Sequence, residues 1–562
     1  MVKHQTMKRQ NILTIILFLF FTNFIQAQIE DVTWATCIGG EPSEKKSRAT
    51  ATDSNGNIYI TGYFDKTIIF GDIVLTSSSF SNIYLAKYNS SGTVMWAKSF
   101  NSGETIDNGF SVATDTVGNI YMSGSFNGPN LVLGSITLTQ SSGFSSHFVA
   151  KMDSDGNAIW GRIISSFSGS LAEKNNDITV DSNGAVIMAG NYRGNCKINN
   201  NEISSQGVGS YIIKYDTEGN LLWYKYPTGI TTIRAVAIDN SDNIYFTGEN
   251  ISTMSLGSNN FTSGGVFTGK YDAAGNLAWL KQGIRDFSVM GSGLVCSFDI
   301  NADAAGNSVI TGSYSGSISF GEYTFTEPVQ QLVPPVNSSF IVKYDNSGNV
   351  IWAKKATAKP LLDMNTHVSA TKAQFDNNNN IYICGYANTE ITLDNIILTQ
   401  GNDLNSKMYI ARYNSQGIVD WATIVTPSRF FTTENYLGLI FENNNLILSG
   451  MCYNNTTIGN NTFTEGGIFI AKISAPVLSN LDFEKNNSIT IYPNPAKNDI
   501  TINSINDFNT VNIYNTMGQL VKSFSNINKS YYNSDISELQ SGYYIIETVS
   551  EKNKTQQNFI KL

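Results

Sequence analysis

The sequence predicts an all-β chain made of a sevenfold repeat with a smaller β module behind it, and three observations carry that prediction. At 562 residues the chain exceeds what a single hydrophobic core organises, which leaves several domains or one repeat architecture. Its composition, 41% hydrophobic, 12% aromatic and 14% charged with 47 Gly, fits a folded β-rich protein and excludes a disordered or coiled-coil chain. All seven tryptophans recur in one context: Trp34, Trp96, Trp160, Trp223, Trp279, Trp352 and Trp421, spaced by 62, 64, 63, 56, 73 and 69 residues.

Taken in order, the first element is a targeting segment. Lys8 and Arg9 precede an apolar run from Ile12 to Phe21, and Ile25-Gln26-Ala27 before Gln28 reads as a small-residue cleavage site between Ala27 and Gln28. The run is half the roughly 20 residues a spanning helix needs, so residues 1–27 read as a signal peptide that is removed; an uncleaved anchor is the alternative. No later stretch is apolar enough for a membrane-spanning helix. The formal charge of −9 becomes −12 without those 27 residues, which hold three bases and no acid, and that balance argues against a nucleic-acid partner.

The repeat fills residues 28–475. Its second landmark runs from Asp53 as DSNGNIYITG and returns from Asp115, Asp181, Asp239, Asp303, Asp376 and Glu442. Its third, IYLAKY in the first unit, places a cation at Lys87, Lys151, Lys214, Lys270, Lys343, Arg412 and Lys472. Short alternating runs bounded by Asp, Asn and Gly read as antiparallel strands joined by hairpins. The 448 residues give 64 per unit, longer than the roughly 40 to 50 of familiar blades, and the excess matches an added hairpin such as IIFG/IVLTS between second and third strands. The last unit ends near Ile473 without a tryptophan strand, whereas Val32-Thr-Trp-Ala-Thr36 precedes any other element. That circular offset predicts a seven-bladed β-propeller whose N-terminal strand completes the final blade, locking the ring without a disulfide. The GNIYITG and GNxxW pattern resembles the SBBP group of bacterial extracellular propeller repeats, which implies binding or structural roles and no particular activity.

Residues 476–487 read as a linker, and residues 488–562 as a small Ig-like β-sandwich. This segment resembles the type A C-terminal sorting domain of the type IX secretion system of Bacteroidota. The residues that carry the likeness are Tyr492-Pro493-Asn494-Pro495, Tyr514 to Gly518, Leu539 to Gly542-Tyr543-Tyr544, and Phe559-Ile-Lys-Leu562. The resemblance implies the secretion machinery as a partner, passage through the periplasm, and a product that is surface-attached or released.

Candidate chemistry is sparse. The Asp-x-x-Gly-Asn turns lack the ligand spread of an EF-hand loop, Ile164 standing twelfth from Asp153, and read as tight structural hairpins. Gly264 to Lys270 imitates a phosphate loop, but Tyr271 replaces the required hydroxyl residue. The repeated tryptophans read as packing between blades, and the repeated cations as stems packed between blades with their heads on turn or neighbouring acids. After cleavage His147 and His367 are the remaining histidines, which leaves little material for a histidine triad or zinc site. Cys37, Cys196, Cys296, Cys384 and Cys452 contain no CxxC pair; Cys384 and Cys452 are the candidates for a bridge, and buried free thiols the general reading. No cofactor or metal is expected.

Strand connectivity places all Asp-x-x-Gly-Asn turns on one face and the inserted hairpins and variable loops on the other. Recognition favours variable loops on a rigid scaffold, so Glu104, Asp107, Glu173, Arg285 and Asp286 are the candidate binding residues, for an extracellular protein or glycan. The expected function is a secreted or surface binding and adhesion module. The alternatives are an extracellular carbohydrate-active or other hydrolytic enzyme using acidic residues of the central funnel, and a structural spacer.

Overall fold

The computed structural model describes residues 32–40, 45–77, 80–103, 105–140, 145–166, 176–286, 295–327, 336–360, 366–399, 406–425, 437–454, 456–475, 489–515, 519–550 and 554–562. Among them there is strand and turn but no helix, and hence no helix long and apolar enough to cross a membrane. The signal segment with Ala27 and Gln28, all of the linker at residues 476–487, and Glu104, Glu173 and Gly518 lie outside the described residues. The chain divides into two compact units, residues 1–475 and 476–562.

In the larger unit a four-stranded antiparallel sheet recurs in one order. Lys45–Thr52, Ile58–Phe64, Asn82–Tyr88 and Val94–Phe100 pair in sequence, and equivalent sheets open at Asn108, Asp177, Thr228, Cys296, Val368 and Gly438. The first strand of each sheet packs beside the first strand of the next, and Gly438–Glu442 packs beside Lys45–Thr52, so the series returns on itself. This is a β-propeller arrangement. The last sheet takes its outer strand from the other end of the chain: Val32–Ile38 pairs antiparallel with Gly467–Ser474, Val32 opposite Ile473 and Trp34 opposite Lys472.

The middle strands depart from the alternating pattern expected of half-buried strands. Every residue of Ile58–Phe64 and Asn82–Tyr88 is buried, because each sheet is covered on both faces. Ile58 and Ile60 join a cluster with Ile447, Ile468 and Ile470 of the preceding sheet, while Tyr59 joins Val112, Met122 and Phe148 of the following one. Each such aliphatic side chain taken out of water contributes about 1.5–3 kcal/mol before conformational entropy is counted.

The turns lock themselves. Asp53 Oδ1 accepts the N–H groups of Asn55 and Asn57 at 2.9 and 3.0 Å, and Oδ2 accepts the Asn57 amide at 2.8 Å and the Tyr59 hydroxyl at 2.9 Å. Gly56 closes the turn at φ +75°, a conformation that disfavours any side chain. The glycines of the outer turns have a second reason. A Cβ on Gly219, at φ +76°, would lie 2.8 Å from the Trp160 ring of the preceding sheet, and Trp160 also donates its indole N–H to Thr217 O at 2.8 Å. Trp34 repeats this toward the turn at Ser90, so the N-terminal strand docks like any other. The repeated cations cross the same seam. Lys87 donates to Ser154 O of the next sheet at 3.2 Å with its ammonium 5.2 Å from the Tyr59 ring, and Lys214 donates to Ala273 O of the next at 3.2 Å while pairing with Asp181 of its own sheet at 2.9 Å.

The inserted hairpins are latches. Five of them reach back to an extension of the preceding sheet: Gly39 bridges Ile69, Asn101 bridges Val132, Ser165 pairs with Lys197, Arg285 with Ile318, and Thr357 with Thr392.

The smaller unit is a five-stranded sheet around Asp499–Asn515, a long strand with register shifts. One half of it pairs with Ile489–Tyr492, the other with Gly542–Val549, and Leu520–Asp535 runs along both. Ile500, Ile502, Val511, Ile513, Ile546 and Phe559 form its core.

Candidate functional site

The inner strands of the ring enclose a cavity of about 220 Å³. Its wall is set by a repeated register position, the residue opposite the small side chain of the second strand. That position holds Ala49, Ser111, Asp177, Ala235, Asp299, Lys372 and Gly438 in turn. In most of these strands a bulge precedes it, and the facing glycine makes room: a Cβ on Gly62 would collide with Lys46 O and one on Gly385 with Ser369 O.

Charge enters where the repeat departs from small residues. Each inner strand is a sheet edge with N–H groups facing its neighbour, and buried edges need acceptors. Asp177 accepts from Ser111 Oγ at 2.8 Å on one side and from the Val236 N–H at 3.0 Å on the other. Asp299 accepts from Lys372 Nζ and from the Ala373 N–H, both at 2.9 Å. Burial pushes the Asp299 carboxyl up against the opposing pull of Lys372. Burial would lower the Lys372 ammonium, but the carboxylates of Asp299 and Asp177 outweigh it and hold it above the ordinary lysine value. Both carboxylates and the ammonium therefore bind neighbouring strands together, and their lone pairs are largely spent on the scaffold.

The residues singled out by sequence lie elsewhere. Asp107 is fully buried and organises its own loop, accepting from the Ser102 N–H at 2.6 Å, Ser102 Oγ at 2.7 Å and the Asn127 N–H at 3.2 Å. Burial is the largest influence on its carboxyl and raises it despite these bonds. Arg285 and Asp286 sit in a latch, Arg285 in register with Ile318 and the Asp286 N–H donating to Ser317 O at 3.2 Å. Beside Asp107 the same loops present two apolar groups that the sequence reading passed over. Phe80 is 73% exposed and Ile106 48% exposed, brought together by a parallel bridge between Ser81 and Ile106. Among the described residues no group of three acidic, histidine or cysteine side chains is arranged to hold a metal. His147 is buried and His367 half-buried, in different sheets, and the phosphate-loop imitation is the buried third strand Gly265–Tyr271.

In the smaller unit the separated motifs meet. The Ile560 N–H donates to Asn494 Oδ1 at 2.9 Å, the Ala496 N–H to Ile560 O at 2.8 Å and the Leu562 N–H to Ala496 O at 2.7 Å, so the segment of Pro493, Asn494 and Pro495 is stitched to the chain's last strand. Gly542 opens the neighbouring strand opposite Lys561. Residues 490–562 match the family model described as the secretion system C-terminal sorting domain. The C-terminal unit is a sorting domain. It implies export by the type IX secretion system and a cell-surface or secreted location.

The chain also has remote likenesses. It is 26% identical over 342 residues to an uncharacterized WD repeat-containing protein, L264, of Acanthamoeba polyphaga mimivirus, a match covering 48% of this chain and 24% of that protein. The chain thus spans about a quarter of that relative's length. Among solved structures it is similar to Drosophila Plexin A in complex with Semaphorin 1b, at TM-score 0.38 and 6% identity over 79% of this chain and 88% of that one. It is also similar to YCF48 bound to D1 peptide, at TM-score 0.35 and 10% identity over 78% and 94%. A third is PorZ, a surface component of the type-IX secretion system of Porphyromonas gingivalis, at TM-score 0.20 and 10% identity over 92% and 81%.

Proposed function

We propose that this is an exported, seven-bladed β-propeller of SBBP-type repeats acting as a binding or adhesion module at the cell surface or in the medium. In this reading residues 1–27 are the signal peptide, residues 476–487 the linker, and the sorting domain a small Ig-like sandwich that engages the type IX machinery. Recognition falls to the loop face, with Arg285 and Asp286 as its polar candidates together with Glu104 and Glu173, which lie outside the described residues. The observation that carries it is Phe80, an aromatic ring 73% exposed beside Ile106, with the adjacent carboxylate of Asp107 turned inward. An exposed aromatic on a braced loop suits stacking against a sugar or an apolar side chain of a partner protein.

Screening the exported chain against glycan and protein arrays, then repeating with Phe80→Ala combined with Ile106→Ser, tests the reading. The expected result is at least a tenfold loss of affinity with unchanged melting temperature. Unaltered binding would remove this face from consideration.

A hydrolytic enzyme is the second reading, favoured by Asp177 and Asp299 lining one cavity with the Asp299 carboxyl pushed up. Against it, the cavity of about 220 Å³ is smaller than the roughly 300–1,000 Å³ of ordinary ligand pockets. Hydrolysis of a glycoside panel that vanishes in Asp299→Asn would favour the enzyme.

A further inference from the structure

The ring is closed by a strand whose pairing partner lies more than four hundred residues away in sequence, and cysteines stand at that junction. Cys37 lies on Val32–Ile38 and Cys452 on Asn445–Cys452, the two strands that flank Gly467–Ser474 in the final sheet. Their sulfurs are 2.8 Å apart across 415 residues of sequence, against about 2.0 Å for a bonded pair. Cys37 stands opposite Phe469 and Cys452 opposite Gly467, and a Cβ on Gly467 would strike Ile38 O, so the glycine lets the closing strand dock against Gly467–Ser474 beside Cys37. Cys452 therefore has Cys37 as its sulfur neighbour, in place of the Cys384 partner that position in the repeat suggested.

We infer that Cys37 and Cys452 form a disulfide that fastens the N-terminal strand into the final sheet once the chain has left the cytoplasm. The inference rests on the export that the sorting domain implies, since envelope and extracellular compartments sustain disulfides. The two thiols have distinct roles. The hydrogen bond from Cys452 holds the Cys37 thiol below its ordinary value against the opposing effect of burial, and Cys37 is partly exposed. The same hydrogen bond and burial raise Cys452. Cys37 thiolate attacks one sulfur of an incoming disulfide, a disulfide-donating oxidoreductase or oxidised glutathione, and expels one thiolate. Cys452 then gives its proton to the departing thiolate and attacks the Cys37 sulfur, releasing the second thiolate. Two protein thiols are oxidised, and the donor disulfide is reduced to two thiols. Cys196 and Cys384 are buried and their thiols are pushed up by desolvation, Cys196 to about 12, so neither competes.

The test exposes the folded full chain to oxidised glutathione, denatures it without reductant, alkylates it and maps the peptides. Of the five cysteines three should take up alkylating agent, with the Cys37 and Cys452 peptides recovered as one linked species. The reductant should lower the melting temperature by about 5 °C in the wild type and in Cys384→Ser, and leave Cys37→Ser/Cys452→Ser unmoved. Five alkylated cysteines, or a link between another pair, would overturn the inference while leaving export untouched, and the count on the wild type decides even if the double variant fails to fold.

Discussion

His147 shows how much a single buried group says about the chain's response to acid. Its Nδ1 is 2.7 Å from the Tyr211 hydroxyl, and full burial pushes its pKa from 6.5 to about 3. The folded-state value is the lower one, so the neutral ring contributes stability that is complete above pH 6.5 and is lost as the pH falls toward 3. Urea midpoints measured between pH 7 and pH 4 should decline at up to about 1.4 kcal/mol per pH unit from this group, and His147→Gln should flatten that slope. An equal slope in the variant would assign the acid sensitivity elsewhere. At this scale the sequence was least informative. Asp177, Asp299 and Lys372 were not singled out, because their meaning depends on a register position held by Ala49, Ser111 and Ala235 in other strands, and register appears only when the strands are paired. A charged residue at an otherwise small position of the aligned repeat is the signal that would have found them. Asp107 misled for the opposite reason: its place in a variable loop says nothing of the four hydrogen bonds that turn it inward.

Among the elements, the outer turns are where backbone and packing arguments separate cleanly. Gly219 in an outer turn and Gly134 at the tip of an inserted hairpin both have positive φ, +76° and +63°, but a side chain on Gly219 meets the Trp160 ring, whereas nothing lies within 4 Å at Gly134. Gly134→Ala should cost about 1 kcal/mol from backbone strain alone, and Gly219→Ala about 2–3 kcal/mol, in guanidinium melts. Equal costs would mean that the indole moves aside freely. These turns were legible because the motif repeats and the chemistry is local: an Asp acceptor, a left-handed Gly and an Asn amide within five residues. The latches were not. The hairpins were expected as additions to the loop face, yet Ser317–Phe320 pairs with Arg285 of the preceding sheet, a pairing between segments whose local pattern carries no address. The middle strands likewise looked half-exposed, because alternation in NIYITG reflects which neighbouring sheet each side chain meets, and both faces are covered.

For the whole molecule, the circular offset in the repeat is enough to predict the pairing of Val32–Ile38 with Gly467–Ser474, since an unmatched strand at each end leaves one solution. The division near Ala475 was equally plain, because the repeat stops there. A chain ending at Ala475 should stay inside the cell envelope when produced in a type IX-secreting host, while the full-length chain appears on the surface or in the medium, as read by fractionation and immunoblot. Equal export of both would detach the sorting domain from its assigned role. The closing strand also fixes an order of events. Val32–Ile38 emerges from the ribosome before any other strand of the ring but cannot find its partner until residue 474 has been made, so the first strand of the ring to be synthesised is the last to settle. Until then an unpaired edge stands open, and the ring completes its circle only when its last strand has been made.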